Sequence, residues 1–220
     1  DKYEQKVNIS SLAKLMEKES NFTLSFLGER LFFNKSSYLN EMLEFVGIPY
    51  KLAIATFKRA GGPREVAMTR VNYGNLFHRM DRHQEAYDQY QSARKILEKS
   101  EGELVLALCY YNLANASVQL FKFDQAIDLY SKANKKFDKL GYHLYVNESN
   151  YGMAWLKLLQ GDYYLALKQL AECERIYHDA GQLRGELLCT LDRAEAFLAL
   201  SLYPEAASEA SKAVKRATKL

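Results

Sequence analysis

Small and apolar residues recur along this chain at helical spacing and with a fixed long period. Alanine returns every 40 residues, at Ala86, Ala126, Ala166 and Ala206. Seven residues after each of these stands another small residue: Ala93, Ala133, Cys173 and Ala213. Twelve residues before each stands a third: Gly74, Ala114, Ala154 and Ala194. This period predicts a pair of helices per repeat, with small residues where two backbones approach closely and larger apolar residues between them.

The pattern predicts four full helix pairs. Their ranges are 64–80 with 83–99, 103–120 with 123–139, 143–160 with 163–180, and 183–200 with 203–219. Upstream, Ala53, Phe57 and Ala60 repeat the same order of small and aromatic residues, which predicts a degenerate repeat. Its first helix is expected near 37–46, ending at Gly47, with Pro49 opening the second helix, because proline is tolerated in a first turn.

The chain is therefore predicted to consist of consecutive helical units. Residues 8–33 contain two more amphipathic stretches, which fit either a cap or another degenerate repeat. The predicted units are an N-terminal cap or degenerate repeat at 1–36, a degenerate repeat at 37–62, and full repeats at 63–100, 101–140, 141–180 and 181–220.

Composition supports an all-α fold. The 220 residues include only 11 Gly and 3 Pro, too few for the closely spaced turns of sandwiches and barrels. Several glycines fall at the predicted turns between repeats: Gly62, Gly102, Gly141 and Gly181.

Charge and cysteine content narrow the functional classes. The 30 basic and 27 acidic residues are mixed along the chain, so nucleic-acid binding is not expected. Three cysteines without close pairing predict buried reduced thiols and a cytoplasmic protein: Cys109, Cys173 and Cys189. No apolar run is long enough to span a membrane, and the first residues do not resemble a signal peptide. The chain does not begin with Met, which suggests a segment of a longer protein.

No motif of an enzyme is present in the sequence. A phosphate-binding loop, a dinucleotide fingerprint, a serine-hydrolase elbow and a zinc-binding His-Glu-x-x-His are all missing, so we expect neither catalysis nor a cofactor or metal. Two basic clusters end predicted second helices, where cations offset the helix dipole and solvate the outer face; binding of an acidic partner or of nucleic acid is the alternative. They are Lys132, Lys135, Lys136 and Lys139, and Lys212, Lys215, Arg216 and Lys219.

Three segments carry a family motif: Tyr73-Gly74-x-x-Phe77, Gly161-Asp162-Tyr163-x-x-Ala166 and Phe123-x-x-Ala126-x-x-x-Tyr130-x-x-Ala133. Over residues 67–217 the chain resembles the tetratricopeptide repeat (TPR) family. The resemblance implies a right-handed superhelical solenoid of antiparallel helix pairs whose concave groove binds a protein or an extended peptide. Arg193 and Lys157 depart from the motif, and the 40-residue period exceeds the usual 34 or so, which predicts longer helices or longer turns between repeats.

The same resemblance assigns groove positions on the first helix of each pair. From the first to the fourth repeat these are Asn72, Asn75, His78 and Arg79; Tyr111, Asn112, Asn115 and Gln119; Tyr151 and Trp155, with Gly152; and Asp192 and Glu195. Asparagine is unfavourable inside a helix, so the repeated pairs indicate either contact with a peptide backbone or bonds within the groove wall. Trp155 fits either a groove anchor or a core residue.

A second functional reading is left open by the sequence. Residues 180–200, together with the 40-residue period, resemble the repeats of bacterial proteins that carry caspase-like CHAT protease domains, and those of ATP-dependent bacterial transcription activators. The chain would then be a regulatory or sensor segment of a larger protein. The last predicted helix, 203–219, also leaves self-association open, because its apolar side faces no further repeat.

Overall fold

A computed structural model of the chain describes residues 36–100 and 102–218, with side chains from residue 47 onward. The expected cap at 1–36 therefore lies outside the described residues, except for Ser36. In the described part, nine α-helices and no strands follow one another. They are α1 Ser36–Arg59, α2 Pro63–Arg79, α3 His83–Leu97, α4 Glu103–Gln119, α5 Phe123–Lys139, α6 His143–Leu159, α7 Tyr163–Asp179, α8 Leu183–Ala199 and α9 Tyr203–Ala217.

From α2 onward the helices form four antiparallel pairs, α2 with α3, α4 with α5, α6 with α7, and α8 with α9. Their bounds agree with the predicted ranges to within two residues at each end. Each pair packs against the next, so the all-α solenoid of helix pairs expected from the sequence is confirmed. The short turns hold consecutive helices side by side, so each helix packs against the one before it and the one after it.

The turns within the four pairs share one geometry. Each contains a residue in the left-handed region, namely Asp81, Phe121, Gly161 and Ser201, with φ between 55° and 79°. The next residue's amide donates to a carbonyl five residues earlier, as Lys122 does to Ser117 at 2.9 Å. This is the Schellman ending of a helix. Helices of 17 residues separated by three-residue turns produce the 40-residue period, so the longer helices account for it.

The repeated small residues lie where the helices touch. Ala86, Ala126 and Ala166 are fully buried, and so are most members of the other two series. The three cysteines are free and buried as predicted. Burial raises the pKa of Cys109 and of Cys173 to about 12, so these thiols stay protonated and do not act as nucleophiles near neutral pH.

The predicted break at Gly47 and Pro49 is wrong. Residues 36–59 form one continuous helix with Pro49 inside it. Gly47 packs against α2 instead of ending a helix: a Cβ there would lie 2.8 Å from the Tyr73 hydroxyl oxygen. The neighbouring Tyr50 ring stacks on the Tyr73 ring at 5.1 Å between centroids. We attribute the continuity to this packing, which outweighs the hydrogen bond that proline removes.

Ion pairs, rather than apolar contacts alone, join the last three helices. Arg193, which departs from the family motif, pairs with Glu174 of α7 at 2.5 Å and with Glu209 of α9 at 3.2 Å. Arg216 also pairs with Glu174, and its Nε lies 3.4 Å from Glu186. Arg216 therefore does not solvate the outer face as expected for its basic cluster; it faces a partly buried network because acceptors on α7 and α8 surround it.

Candidate functional site

The first helices of the four pairs form one continuous surface, with α2, α4, α6 and α8 in contact in that order. We call it the groove face. It carries the positions that the sequence assigned to a binding groove. The second helices lie behind it, and some of their tyrosines reach into it.

Three of the predicted asparagines are bonded within the groove wall. Asn75 Oδ1 accepts hydrogen bonds from the Tyr90 hydroxyl at 2.8 Å and from Asn112 Nδ2 at 3.1 Å. One repeat later, Asn115 Oδ1 accepts from the Tyr130 hydroxyl at 2.5 Å. The helix-interior asparagines thus satisfy tyrosine hydroxyls that would otherwise be buried without a partner. Asn75 and Asn115 use their amide oxygens in these bonds and Asn112 uses its amide nitrogen, so the N–H donors of Asn75 and Asn115 are not part of these bonds.

The other predicted residues of the first two repeats lie nearer the surface. Asn72, Arg79 and Gln119 are exposed. His78 is half-buried, and its ring lies 5.3 Å from that of His83, between centroids. The first repeat therefore presents mainly solvated polar groups.

A cleft of about 530 Å³ opens on the groove face between α4, α6 and α8. We call it the central cleft. It has the size of a ligand pocket. Its lining residues are His78, Tyr111, Asn115, Gln119, Tyr130, Glu148, Tyr151, Gly152, Trp155, Tyr177, Gln182, Arg184, Gly185 and Leu188.

Two glycines on first helices let tyrosines of second helices reach the central cleft. A Cβ on Gly152 would lie 2.4 Å from Tyr130 Cζ, and one on Gly185 would lie 2.4 Å from Tyr177 Cγ. Neither distance is compatible with a side chain at the glycine position. Because both tyrosines are buried, their rings could move aside only by disturbing the core.

Two carboxylates on the groove face are oriented by tyrosine hydroxyls. Glu148 Oε2 accepts from the Tyr111 hydroxyl at 3.2 Å, and Tyr177 is also hydrogen-bonded to Glu148. Asp192 Oδ2 accepts from the Tyr151 hydroxyl at 2.7 Å. Burial, and then the neighbouring carboxylate, raises the pKa of Tyr151 and of Tyr177 far above the ordinary range, so both phenols remain hydrogen-bond donors.

Asp192 has an altered acidity. Burial raises its pKa to about 6; the hydrogen bond from Tyr151 opposes this, and the charge of Glu195 adds to it. A buried carboxylate gains protons more readily because its charged form loses hydration. The carboxyl group of Asp192 is thus still ionised at neutral pH but titrates just below it.

The structure brings together six of the twelve predicted groove residues in the central cleft: His78, Tyr111, Asn115, Gln119, Tyr151 and Trp155. Trp155 is half-buried, packs against the apolar core and also lines the cleft. Asp192 joins through its bond to Tyr151. Asn72 and Arg79 do not line the cleft.

Sequence reasoning missed Glu148, Tyr177 and Arg184. Glu148 was recognisable from the repeat itself, because the equivalent positions are apolar: Met68, Leu108 and Leu188. No sequence signal marked Tyr177 as a residue of the cleft. Its ring reaches the cleft only because Gly185 on the next helix has no side chain.

A larger cleft of about 750 Å³ lies between α1, α2 and α3. Among its charged side chains, Arg70 donates to the neutral Gln89 at 2.8 Å, and Arg82 forms an ion pair with Glu85. We take the central cleft as the candidate site because it lies on the groove face and is lined by predicted groove residues.

Within residues 36–100 and 102–218, no three His, Cys, Asp or Glu side chains converge on a point where a metal ion could bind. In the same described ranges, no helix combines the length and the apolar character needed to cross a bilayer.

Comparison with known proteins supports a repeat solenoid. Residues 65–135 match the tetratricopeptide repeat family. No curated protein sequence matches the chain. Among solved structures, BtubC (BKLC) from P. vanneervenii superimposes with a TM-score of 0.65 and 19% identity, covering 83% of this chain and 78% of that one. Residues 65–135 are therefore similar to TPR repeats, and the described solenoid has a TPR-like fold.

Two further structures are similar over most of this chain. A putative kinesin light chain from Podosopora anserina, with nearly identical TPR-like repeats, gives a TM-score of 0.64 at 14% identity and covers 96% of this chain and 95% of that one. Aspartyl phosphate phosphatase F from Bacillus subtilis gives a TM-score of 0.64 at 14% identity, covering 96% of this chain and 56% of that one. At such low identity these likenesses concern the fold alone.

Proposed function

We propose that this chain is a non-catalytic scaffold that binds a protein or an extended peptide segment on its groove face. The observation that carries the proposal is the central cleft, where aromatic side chains and the hydrogen-bonded carboxylate of Glu148 line one cavity, and where the lining residue Tyr151 is bonded to Asp192. TPR-like repeats are generally protein-interaction modules, which agrees with this role. A solenoid suits it because each repeat adds surface without changing the fold.

The groove face is polarised along its length. Arg79 lies on α2, at one end, and Asp192 and Glu195 lie on α8, at the other. Opposite charges at the two ends favour one orientation of a bound segment over the reverse. The twelve predicted groove residues remain our proposed contact set, with Glu148, Tyr177 and Arg184 added.

Trp155 allows a direct test, because it is the single Trp of the chain and lines the central cleft. Peptides selected from a random displayed library against the purified chain are titrated while Trp155 fluorescence is followed. We expect the emission to shift on binding, and Trp155→Ala to weaken binding at least tenfold, measured by anisotropy of labelled peptide.

Tyr164→Ala is the matched control, since this aromatic side chain is 82% exposed on α7, on a second helix. It should change the affinity less than twofold. If no peptide is selected, or if both variants bind as well as the unchanged chain, the groove face is not a peptide-binding surface.

A second candidate function is a regulatory or sensor segment of a larger protein, such as a CHAT-type protease or a bacterial transcription regulator. The observation that favours it is the run of 17-residue helices, which produces the 40-residue period that this chain shares with the repeats of those proteins. The test is to read the coding sequence on both sides of these 220 residues. A protease or DNA-binding domain on either side would support this function, and a gene that encodes no other domain would contradict it.

We also propose that the protein is cytoplasmic, because its three cysteines are free.

Self-association is a separate proposal. The last described helix pair has exposed apolar side chains, with Leu198 58% and Val214 65% exposed. A second copy or a further repeat would bury them. Light scattering at increasing protein concentration tests self-association. A dimer that dissociates in the Val214→Glu variant supports it, and a monomer at every concentration contradicts it.

A further inference from the structure

Glu148 is held in the central cleft in a fixed orientation. It stands on α6, half-buried, and its carboxylate accepts hydrogen bonds from the hydroxyls of Tyr111 and Tyr177. A carboxylate has about four lone-pair positions, so two phenol donors leave capacity for further donors. A guanidinium or ammonium group is the donor that also matches its charge.

The walls around Glu148 are aromatic. The Tyr111 and Tyr130 rings lie 6.1 Å apart at 57°, and the Tyr151 and Tyr177 rings lie 6.5 Å apart at 69°. Trp155 adds the side chain whose face attracts cations most strongly. The hydroxyls of Tyr111 and Tyr151 are bonded to carboxylates, so beyond those bonds these two residues contribute the apolar surface of their rings to the cleft.

The charges on this part of the groove face favour a cation. Arg184 lines the central cleft from the first turn of α8. Among the described residues, the cleft lining holds this guanidinium and the Glu148 carboxylate, and two further carboxylates, Asp192 and Glu195, lie outside the lining on α8. An acidic side chain entering the cleft would have to lie against Glu148, which costs free energy in a half-buried site.

We propose that the central cleft takes an arginine or lysine side chain of the bound peptide, with Glu148 as its counter-ion and the rings of Tyr111, Tyr151 and Trp155 as its walls. The inference rests on the proposed peptide-binding function and specifies which residue of the peptide anchors it. A volume of about 530 Å³ holds one long side chain together with adjacent backbone.

The test uses the displayed peptide library and the unchanged chain. Selected peptides should share an arginine or lysine at one position. Replacing that residue by citrulline or acetyl-lysine removes the charge but keeps the shape, and should weaken binding about 10- to 100-fold. This arm requires no variant of the protein, so it stands even if substitutions at Glu148 disturb folding.

A second arm tests Glu148 itself. Glu148→Gln keeps an oxygen acceptor for the tyrosines and should reproduce the loss seen with the uncharged peptides. With the uncharged peptides, Glu148→Gln should weaken binding no further, since the change in the peptide and the change in the protein remove the same interaction. Glu172→Gln, an exposed carboxylate on α7 paired with Arg175, is the control and should leave the affinity unchanged.

The possible failures are distinguishable. Peptides that need Trp155 but lack a shared basic residue, or tolerate Glu148→Gln, would overturn this inference and leave the proposed function standing. Selection of acidic peptides whose binding depends on Arg184 would also overturn this inference, because the side chain in the central cleft would then be an anion and not a cation. Selection of no peptide at all overturns both.

Discussion

Arg216, in the last described helix, forms an ion pair with Glu174, two helices earlier in the chain. The contact spans 42 residues of sequence and joins the third helix pair to the end of the fourth. Burial would raise the pKa of Glu174, but the hydrogen bond from Arg216 and the charge of Arg193 outweigh it and hold the pKa below its ordinary value. Ion pairs therefore help to hold the fourth helix pair against the third.

Removing the Glu174 carboxylate should loosen the fourth pair. Glu174→Ala leaves the two guanidiniums of Arg193 and Arg216 without this partner in a partly buried site, which should cost about 2–4 kcal/mol of unfolding free energy. Urea denaturation measures the loss, and hydrogen exchange should locate it in α9. Asp128→Ala is the control, because its pair with Lys132 is exposed and should contribute less than about 1 kcal/mol. Equal effects of the two substitutions would contradict the assignment.

The Asn75 side chain should matter for stability as well as for the groove. Asn75→Ala removes the acceptor of Tyr90 and Asn112, and we expect a loss of roughly 1–3 kcal/mol. The exposed Asn72 is the matched control, and Asn72→Ala should change stability by less than about 0.5 kcal/mol. A double-mutant cycle with Tyr90→Phe, followed by thermal unfolding, should give a coupling energy near 1 kcal/mol. Additive effects would show that the bond contributes nothing.

Gly152 should not tolerate a methyl group. Gly152→Ala places a Cβ 2.4 Å from Tyr130 Cζ, and because Tyr130 is buried we expect overpacking to cost about 1–3 kcal/mol. Helix propensity acts in the opposite direction, since alanine is favoured over glycine inside a helix. Combining Gly152→Ala with Tyr130→Leu should recover part of the loss in a chemical denaturation measurement. A more stable Gly152→Ala protein would show that the ring moves freely.

Asp192 should make the stability of the fourth pair depend on pH. Its folded pKa of about 6 lies above the ordinary value of about 4, so the folded state binds the proton more tightly; stability falls as pH rises from about 4 to about 6 and then levels off. Asp192→Asn keeps an acceptor for Tyr151 and should stabilise the protein by on the order of 2 kcal/mol at pH 8, and by less than half as much at pH 4.5. Thermal unfolding at the two pH values provides the measurement.

The groups facing Asp192 are Tyr151 from α6 and, on its own helix, Glu195 and Cys189. Glu195→Gln is the control for the second carboxylate and should give a smaller change of the same sign, because Glu195 is exposed. A stability difference between Asp192→Asn and the unchanged chain that is the same at both pH values would contradict the titration of Asp192.

The helices were predictable because their signal is local and repeated. The alanine that recurs every 40 residues from Ala86 sets the position of every helix pair. The predicted ends of the helices then agree with the structure to within two residues. The prediction failed at Gly47 because two causes place glycine in a helical protein, the end of a helix and close packing. Only the Tyr73 ring beside Gly47 distinguishes them.

The chemistry of the candidate site could not be predicted from the sequence. The repeat phase assigned Tyr111, Tyr151 and Trp155 to a groove, and in the structure all three line the central cleft. It did not show that Asn75, Asn112 and Asn115 bond within the wall, since their acceptors and donors come from tyrosines 15 residues away and from the next repeat. Likewise Arg193 looked like a departure until Glu174 and Glu209 were seen beside it.

The amino-acid sequence by itself determined the helix pairs and their period, because hydrophobic spacing and small residues act within a few turns of one chain segment. Only the tertiary structure decided which partners the polar groups of the groove face bond to. A hydrogen bond or ion pair depends on atoms a few ångströms apart, and those atoms come from helices 15 to 42 residues distant. The oriented carboxylate of Glu148, on which the proposed specificity rests, belongs to this second kind.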